Sequence, residues 1–220
     1  MFITTATNLP RVMACNGSRL MAEAEAPHIG DDKIKNEGIA ADWLVGQVHS
    51  GKFDAVELID RKSPNGVYIE AEMVEHLEAY LEDIQQSELE VPCVWNNWKY
   101  EINGRADRIE FKPEKQHLHI SDLKYGFRIV EPEKNWTLIS HAVAWRIANP
   151  DKHVEYFTFT IYQPRAYHPM GVGRSWTISK DILDDLTRQI DETLINLDET
   201  LNTGDHCHGC PSYANCPAAR

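Results

Sequence analysis

The sequence predicts a mixed α/β (α+β) fold, a small central mixed sheet flanked by helices, and three observations carry that expectation. Stretches of alternating apolar and polar residues fall mid-chain, segments with helical apolar spacing lie on both sides of them, and glycine or proline marks most junctions. Residues 9–25 read as a helix with Val12, Cys15 and Leu20 inward, and residues 32–50 as a second. After Gly66 a third carries Ile69, Met73, Leu77, Tyr80, Leu81 and Ile84 on one stripe. Residues 98–102 and 105–111 alternate around Asn103-Gly104, a strong two-residue turn signal, so they read as a hairpin. Residues 112–115 make a second turn before a strand over 117–124, which Gly126 breaks. Residues 133–148 form a helix with Trp136, Ile139, Val143 and Ile147 on one stripe, stopped by Asn149-Pro150. Strands follow over 154–163 and 173–178. Ser179 then caps a last helix reaching 203, with Ile182, Leu186, Ile190, Leu194, Leu197 and Leu201 on its core face and Gly204 at its end.

At 220 residues and 42% apolar composition the chain is expected to form a single domain: a helical part over 1–90, a sheet core over 91–178, and a helix with a cysteine-rich tail over 179–220. No transmembrane stretch, repeat or low-complexity run is present, and Met-Phe-Ile-Thr-Thr-Ala-Thr lacks the basic and apolar parts of a secretion signal. The expected setting is cytoplasmic, with no membrane partner. A net charge of −12 argues against nucleic acid until its distribution is considered. Residues 94–175 hold 12 Lys plus Arg against 9 Asp plus Glu, a balance of +3, and the remainder of the chain holds −15. Arg105, Arg108, Lys124, Arg128, Lys134 and Arg146 are thereby expected to be available for phosphates.

Asp122-Leu123-Lys124 ends an apolar stretch, and Gly104-Arg105-Ala106-Asp107 precedes it on the neighbouring antiparallel strand. Facing side chains on such strands come close enough to share an ion. Two carboxylates that anchor a divalent cation and a lysine that holds the attacking water are what metal-assisted phosphodiester hydrolysis requires.

Three of the five cysteines, Cys207, Cys210 and Cys216, fall within ten residues of a tail too poor in apolar residues to fold unaided. Cys-x2-Cys with a further cysteine and His206 or His208 would satisfy tetrahedral zinc. Cys93, in an apolar stretch, reads as a buried hydrophobe.

Gly-x-x-Asp107, Ser-Asp122-Leu-Lys124-Tyr-Gly and Asn135-x-x-Leu138 resemble the PD-(D/E)XK nuclease superfamily, in its RecB-type branch with CRISPR-associated and phage-encoded exonucleases. Met13-Ala14-Cys15-Asn16-Gly17-Ser18 and Glu37-Gly38-Ile39-Ala40-Ala41-Asp42 resemble that branch's amino-terminal cysteine element and Glu-Gly-x-x-x-His helix, and the tail resembles its cysteine cluster. The resemblance covers nearly the whole chain. It implies a restriction-endonuclease-like core and a DNA exonuclease dependent on Mg2+ or Mn2+, plausibly 5′→3′ on single-stranded or frayed DNA. It also implies a structural 4Fe-4S cluster on Cys15, Cys207, Cys210 and Cys216, tying the tail to the first helix. Asp107, Asp122 and Lys124 would be catalytic; Asp42, Asp107, Asp122 and the carbonyl of Leu123 would hold the metal; Arg105, Arg128, Asn135 and His141 would meet DNA. Recombination or CRISPR-adaptation proteins are the partners implied.

The chain departs from the branch at Asp42, where a histidine is usual and His49 is the reserve ligand, and at Thr137 and His141, which replace a Gln-x-x-x-Tyr pair. Tryptophans 95, 98, 136, 145 and 176 are candidates for base stacking. A reading of a different class is a nuclease fold without turnover, a DNA- or protein-binding decoy or adaptor, with zinc in place of the cluster.

Overall fold

Strands and helices follow in blocks along the chain: β1 (Phe2–Thr5), α1 (Leu9–Ala14), α2 (Lys33–His49), α3 (Ala71–Asp83), β2 (Glu88–Asn96), β3 (Tyr100–Lys112), β4 (His117–Leu123), α4 (Trp136–Ala148), β5 (Tyr156–Tyr162), β6 (Gly173–Ser179) and α5 (Lys180–Ile195). The structure is a computed structural model that describes residues 1–20 and 32–219. One six-stranded sheet runs β1-β3-β4-β5-β6, with β2 also pairing β3. The pairs β1/β3 and β4/β5 are parallel and the others antiparallel, so the sheet is mixed.

Alternation along the strands separates two apolar cores. Leu118 and Ile120 of β4 with Phe157, Phe159 and Ile161 of β5 pack against α1, α4 and α5. Leu123 belongs instead to a second core with α2 and α3, through Ala40, Leu44, Met73 and Leu77. The sheet is thus flanked by helices on both faces, as the period-two and helical patterns predict. Among the described residues no helix is long and apolar enough to cross a membrane.

Three expectations are corrected, and one strand was not foreseen. The hairpin at Asn103-Gly104 does not form, because β3 runs straight through both residues. The reversal lies earlier, where the Asn97 side chain accepts hydrogen bonds from the backbone N–H groups of Lys99 and Tyr100. Gly104 is required for another reason: a Cβ there would stand 2.6 Å from His141 Nε2 and 2.8 Å from Ala6 Cβ. The first helix stops at Ala14, with its expected residues 21–25 outside the described residues, and the last stops at Ile195 rather than 203. Both ends are set by a contact between the chain's two extremities. Gly17 donates to the Thr200 carbonyl at 2.9 Å, and Asn202 donates its backbone N–H to Cys15 Sγ at 3.3 Å and its side chain to the Ala14 carbonyl at 3.1 Å. A Cβ on Gly17 would meet the Glu199 carbonyl oxygen at 2.5 Å, so only glycine allows this approach. β1 carries no alternation long enough to be read from four residues. It gains its place by pairing in parallel with β3.

Candidate active site

β3 and β4 are in register with Arg108 opposite Ser121, so Asp107 and Asp122 face each other one step further on. Asp122 continues the buried face of Leu118 and Ile120, and Lys124 is fixed just beyond the strand by its backbone N–H on the Tyr162 carbonyl at 2.8 Å. The Leu123 N–H donates to Asp107 Oδ2 at 2.8 Å, and Lys124 Nζ pairs with Asp122 Oδ2. Asp107, Asp122, Lys124 and His141 line one pocket with Arg105, Lys134, Asn135 and Thr137. Sequence spacing therefore identifies three groups that the fold brings together.

Charge crowding marks the same groups. Burial raises the Asp107 pKa well above the ordinary carboxylate value, and the charges of Asp122 and Asp42 add to it, while Lys124 and the Leu123 N–H oppose. Asp42, on α2, is pushed up to about 7, first by desolvation and then by repulsion from Glu90, with Lys124 opposing and Asp122 adding. Asp42 is nevertheless a solvent-exposed residue and is not among those lining the pocket, so solvent damps both effects. Desolvation pulls the Lys124 pKa down, yet Asp122, Asp107 and Asp42 outweigh it and the net shift is upward. Lys124 is therefore an ammonium, able to donate and unable to act as a base.

His141 is 3% exposed, with neither ring nitrogen bonded to another protein atom. Burial pulls its pKa down to about 4 against the Asp122 charge, so it is neutral at pH 7. Thr137, in place of the usual glutamine, donates to the Ala6 carbonyl at 3.0 Å and so anchors α4 to the segment after β1. Glu90 was not foreseen. It sits opposite Asp107 with φ +55°, pairs with Arg105 at 3.1 Å and repels Asp42. A left-handed glutamate leaves no signal in local sequence pattern.

Other expected contacts are placed elsewhere. Arg108 is 2% exposed and turned towards α3, bonded to Asp83, Ser87 and Glu110, which removes it from phosphate contact. Arg146 pairs with Asp184 in a separate cleft between α4 and α5. Asn135 lines the pocket but caps α4, accepting from the Leu138 N–H and donating to the Glu131 carbonyl. Arg128 donates to the Asp205 carbonyl at 3.1 Å, outside the pocket lining. Trp95 and Trp145 are buried, whereas Trp98 stands exposed at the β2–β3 turn and Trp136 borders the pocket. His49 lies two turns from Asp42 at the far end of α2, about 10 Å along the axis.

Among the described residues no group of three or more His, Cys, Asp or Glu side chains stands at ligand spacing for a metal ion. The donor chemistry nevertheless fits a hard divalent cation, since crowded carboxylates with raised pKa values are what such an ion relieves. Binding requires the Asp122–Lys124 pair to open. Outside this pocket, Cys15, Cys207, Cys210 and Cys216 line one small cavity with His206. All five cysteines are free thiols, and Cys93 is buried with its pKa raised to about 11 by burial. Four soft sulfur donors around one cavity suit zinc or an iron–sulfur cluster.

A family model described as a protein of unknown function, DUF2800, matches residues 49–220. No curated protein matches the chain. A solved protein named SSO0001 shares 18% identity, with 100% of this chain and 88% of that chain covered and a TM-score of 0.43. A protein from Eubacterium rectale provisionally named an exonuclease shares 11% identity, with 87% of this chain and 77% of that chain covered and a TM-score of 0.46. At these scores neither likeness bears on function, which is argued from this chain's own residues.

Proposed function

The chain belongs to the DUF2800 family of proteins of unknown function, and from its own residues we propose that it is a Mg2+- or Mn2+-dependent deoxyribonuclease. One observation carries the reading: two carboxylates that face each other across antiparallel strands share a pocket with a buried-edge lysine held as an ammonium. In this reading Asp107, Asp122 and the Leu123 carbonyl hold the cation, with Asp42 completing the oxygen shell. The cation supplies a polarised phosphoryl oxygen and a water acidified for attack. Lys124 donates to that water and offsets charge on the phosphate as the bond to the leaving oxygen breaks. His141 faces the reaction as a neutral imidazole and adds no charge to repel or attract the cation. We further propose action from DNA ends, 5′→3′ on single or frayed strands, and a structural 4Fe-4S cluster on Cys15, Cys207, Cys210 and Cys216.

The test is degradation of DNA labelled at the 5′ or 3′ end, single- or double-stranded, with Mg2+ or Mn2+. Asp122→Ala and Lys124→Ala should each lower the rate by about a hundredfold to a thousandfold, the range seen when an electrostatic catalytic group is removed. Equal degradation by wild type and both variants rejects the mechanism.

A further inference from the structure

Beyond Lys124 the chain reads Tyr125-Gly126-Phe127-Arg128-Ile129, aromatic and apolar residues interleaved with a cation. Tyr125 is buried in the second core, but Phe127 is 54% exposed and Ile129 is 48% exposed, so beyond Tyr125 the loop contributes little apolar burial to the fold. It is nonetheless held firmly from beneath. Gln163, 1% exposed, donates Nε2 to the carbonyls of Gly126 at 2.9 Å and Arg128 at 2.7 Å and accepts from the Val130 N–H at 3.2 Å. Arg174, 2% exposed, donates to the Val130 carbonyl at 2.7 Å and to Gln163 Oε1 at 2.9 Å. Burying a glutamine and an arginine is costly unless their hydrogen bonds are made, and here those bonds serve to fix the course of one exposed loop.

What the brace presents is specific. The Arg165 guanidinium lies 4.2 Å from the Phe127 ring centroid and 4.8 Å from that of Tyr125, covering one face of Phe127 and leaving the residue more than half exposed. It is paired with Glu37 at 2.5 Å and so is a brace rather than a free cation. Tyr167, two residues beyond Arg165, is 88% exposed. Arg128 bonds to a neutral carbonyl and so keeps its full charge. Phe127 is three residues from Lys124, at most about 10 Å along the chain. Exposed aromatic faces beside a cation, on the loop that follows Lys124, match the chemistry of a single nucleic-acid strand, whose unpaired bases offer ring faces for stacking and whose phosphates seek guanidinium.

We propose that Phe127 and Tyr167, with Arg128 and Arg165, form a platform on which the bases of a single strand stack as its phosphate enters the catalytic pocket. The substrate assignment rests on the nuclease reading; the binding surface does not. A duplex hides its base faces, so the platform selects unpaired ends.

The experiment is fluorescence anisotropy of a labelled oligothymidylate with excess chelator, which removes hydrolysis from the measurement. Phe127→Ala and Tyr167→Ala should each weaken binding about tenfold or more, as loss of a stacked base does, while Phe127→Trp keeps it and Phe127→Leu does not. Trp98→Ala, an exposed aromatic at the distant β2–β3 turn, should leave binding unchanged. Wild-type affinity in Phe127→Ala and Tyr167→Ala, or equal affinity in Phe127→Leu and Phe127→Trp, overturns the proposal, as does absence of strand binding by the wild type. The two readings fail separately: if wild type cleaves nothing yet Phe127→Ala loses the strand, the nuclease assignment falls and the platform stands. If Asp122→Ala abolishes cleavage yet Phe127→Ala binds normally, the platform alone falls.

Discussion

Desolvation, then the charges of Glu90 and Asp122 with Lys124 opposing, push the Asp42 pKa up to about 7, into the physiological range. The consequence for stability has a definite sign. A carboxyl whose folded-state pKa lies above its ordinary 3.8 stabilises the fold fully below that value, and the contribution is lost as pH rises through about 7. His141 acts oppositely: its pKa falls from 6.5 to about 4, so its contribution is present above 6.5 and lost as pH drops through 4. With chelator present, melting temperature measured from pH 5 to pH 8 should therefore decline less in Asp42→Asn than in wild type. Added Mg2+ should flatten the wild-type profile in the same way, because a bound cation stabilises the ionised carboxylates. Identical profiles for wild type and Asp42→Asn would remove Asp42 from the crowded group.

The elements differ in how far local sequence specifies them. Most of α2, α3 and α4 is legible because each carries its own apolar period, and β4 because Leu118 and Ile120 alternate up to Asp122. The juxtaposition of two carboxylates and a lysine is legible for the same local reason, since two strand positions and a short spacing place Asp107, Asp122 and Lys124 together. What escapes is determined at long range. Asn103-Gly104 carries a turn signal, yet its glycine answers to His141, which arrives from α4 far along the chain. The ends of α1 and α5 answer to each other through Gly17 and Thr200, and Glu90 is placed by a backbone angle that composition does not encode. The β3–α4 contact can be tested directly. Gly104→Ala introduces a methyl into filled space and should cost about 1–3 kcal/mol, lowering the melting temperature by about 2–4 °C for each kcal/mol in a chain of this size. Adding His141→Ala should recover part of that loss, because the two residues touch and their effects are not additive; the nearby Ala6 methyl keeps the recovery incomplete. Full additivity would mean that α4 does not press on β3 at this position.

At the scale of the whole molecule, the first and last segments meet around Cys15, and the tail beyond is held by few apolar contacts of its own. Cys207 lies in a short 3-10 turn and Cys210 and Cys216 just past the ends of two such turns, in a segment whose side chains are mostly half-buried or exposed, yet they face the same cavity as Cys15. Arg128 extends this junction to the catalytic side by its bond to the Asp205 carbonyl, so the tail borders the loop that follows Lys124. A metal-centred link here would close almost the entire chain into one loop. A cross-link over such a length removes on the order of 4–5 kcal/mol of denatured-state entropy, equivalent to roughly 10 °C in melting temperature at this size. Cys210→Ser takes away one thiolate donor and should lower the melting temperature by about that amount while leaving the sheet's circular dichroism intact, since both apolar cores lie outside the tail. Colour separates the metals: protein purified without oxygen should be brown and lose its visible band in Cys210→Ser if iron and sulfide fill the cavity, and should be colourless with stoichiometric zinc by elemental analysis if they do not. A Cys210→Ser variant that melts with wild type, and a wild type that carries neither iron nor zinc, would leave the thiols as ordinary packing groups and the closure of the chain to Gly17 and Asn202 alone.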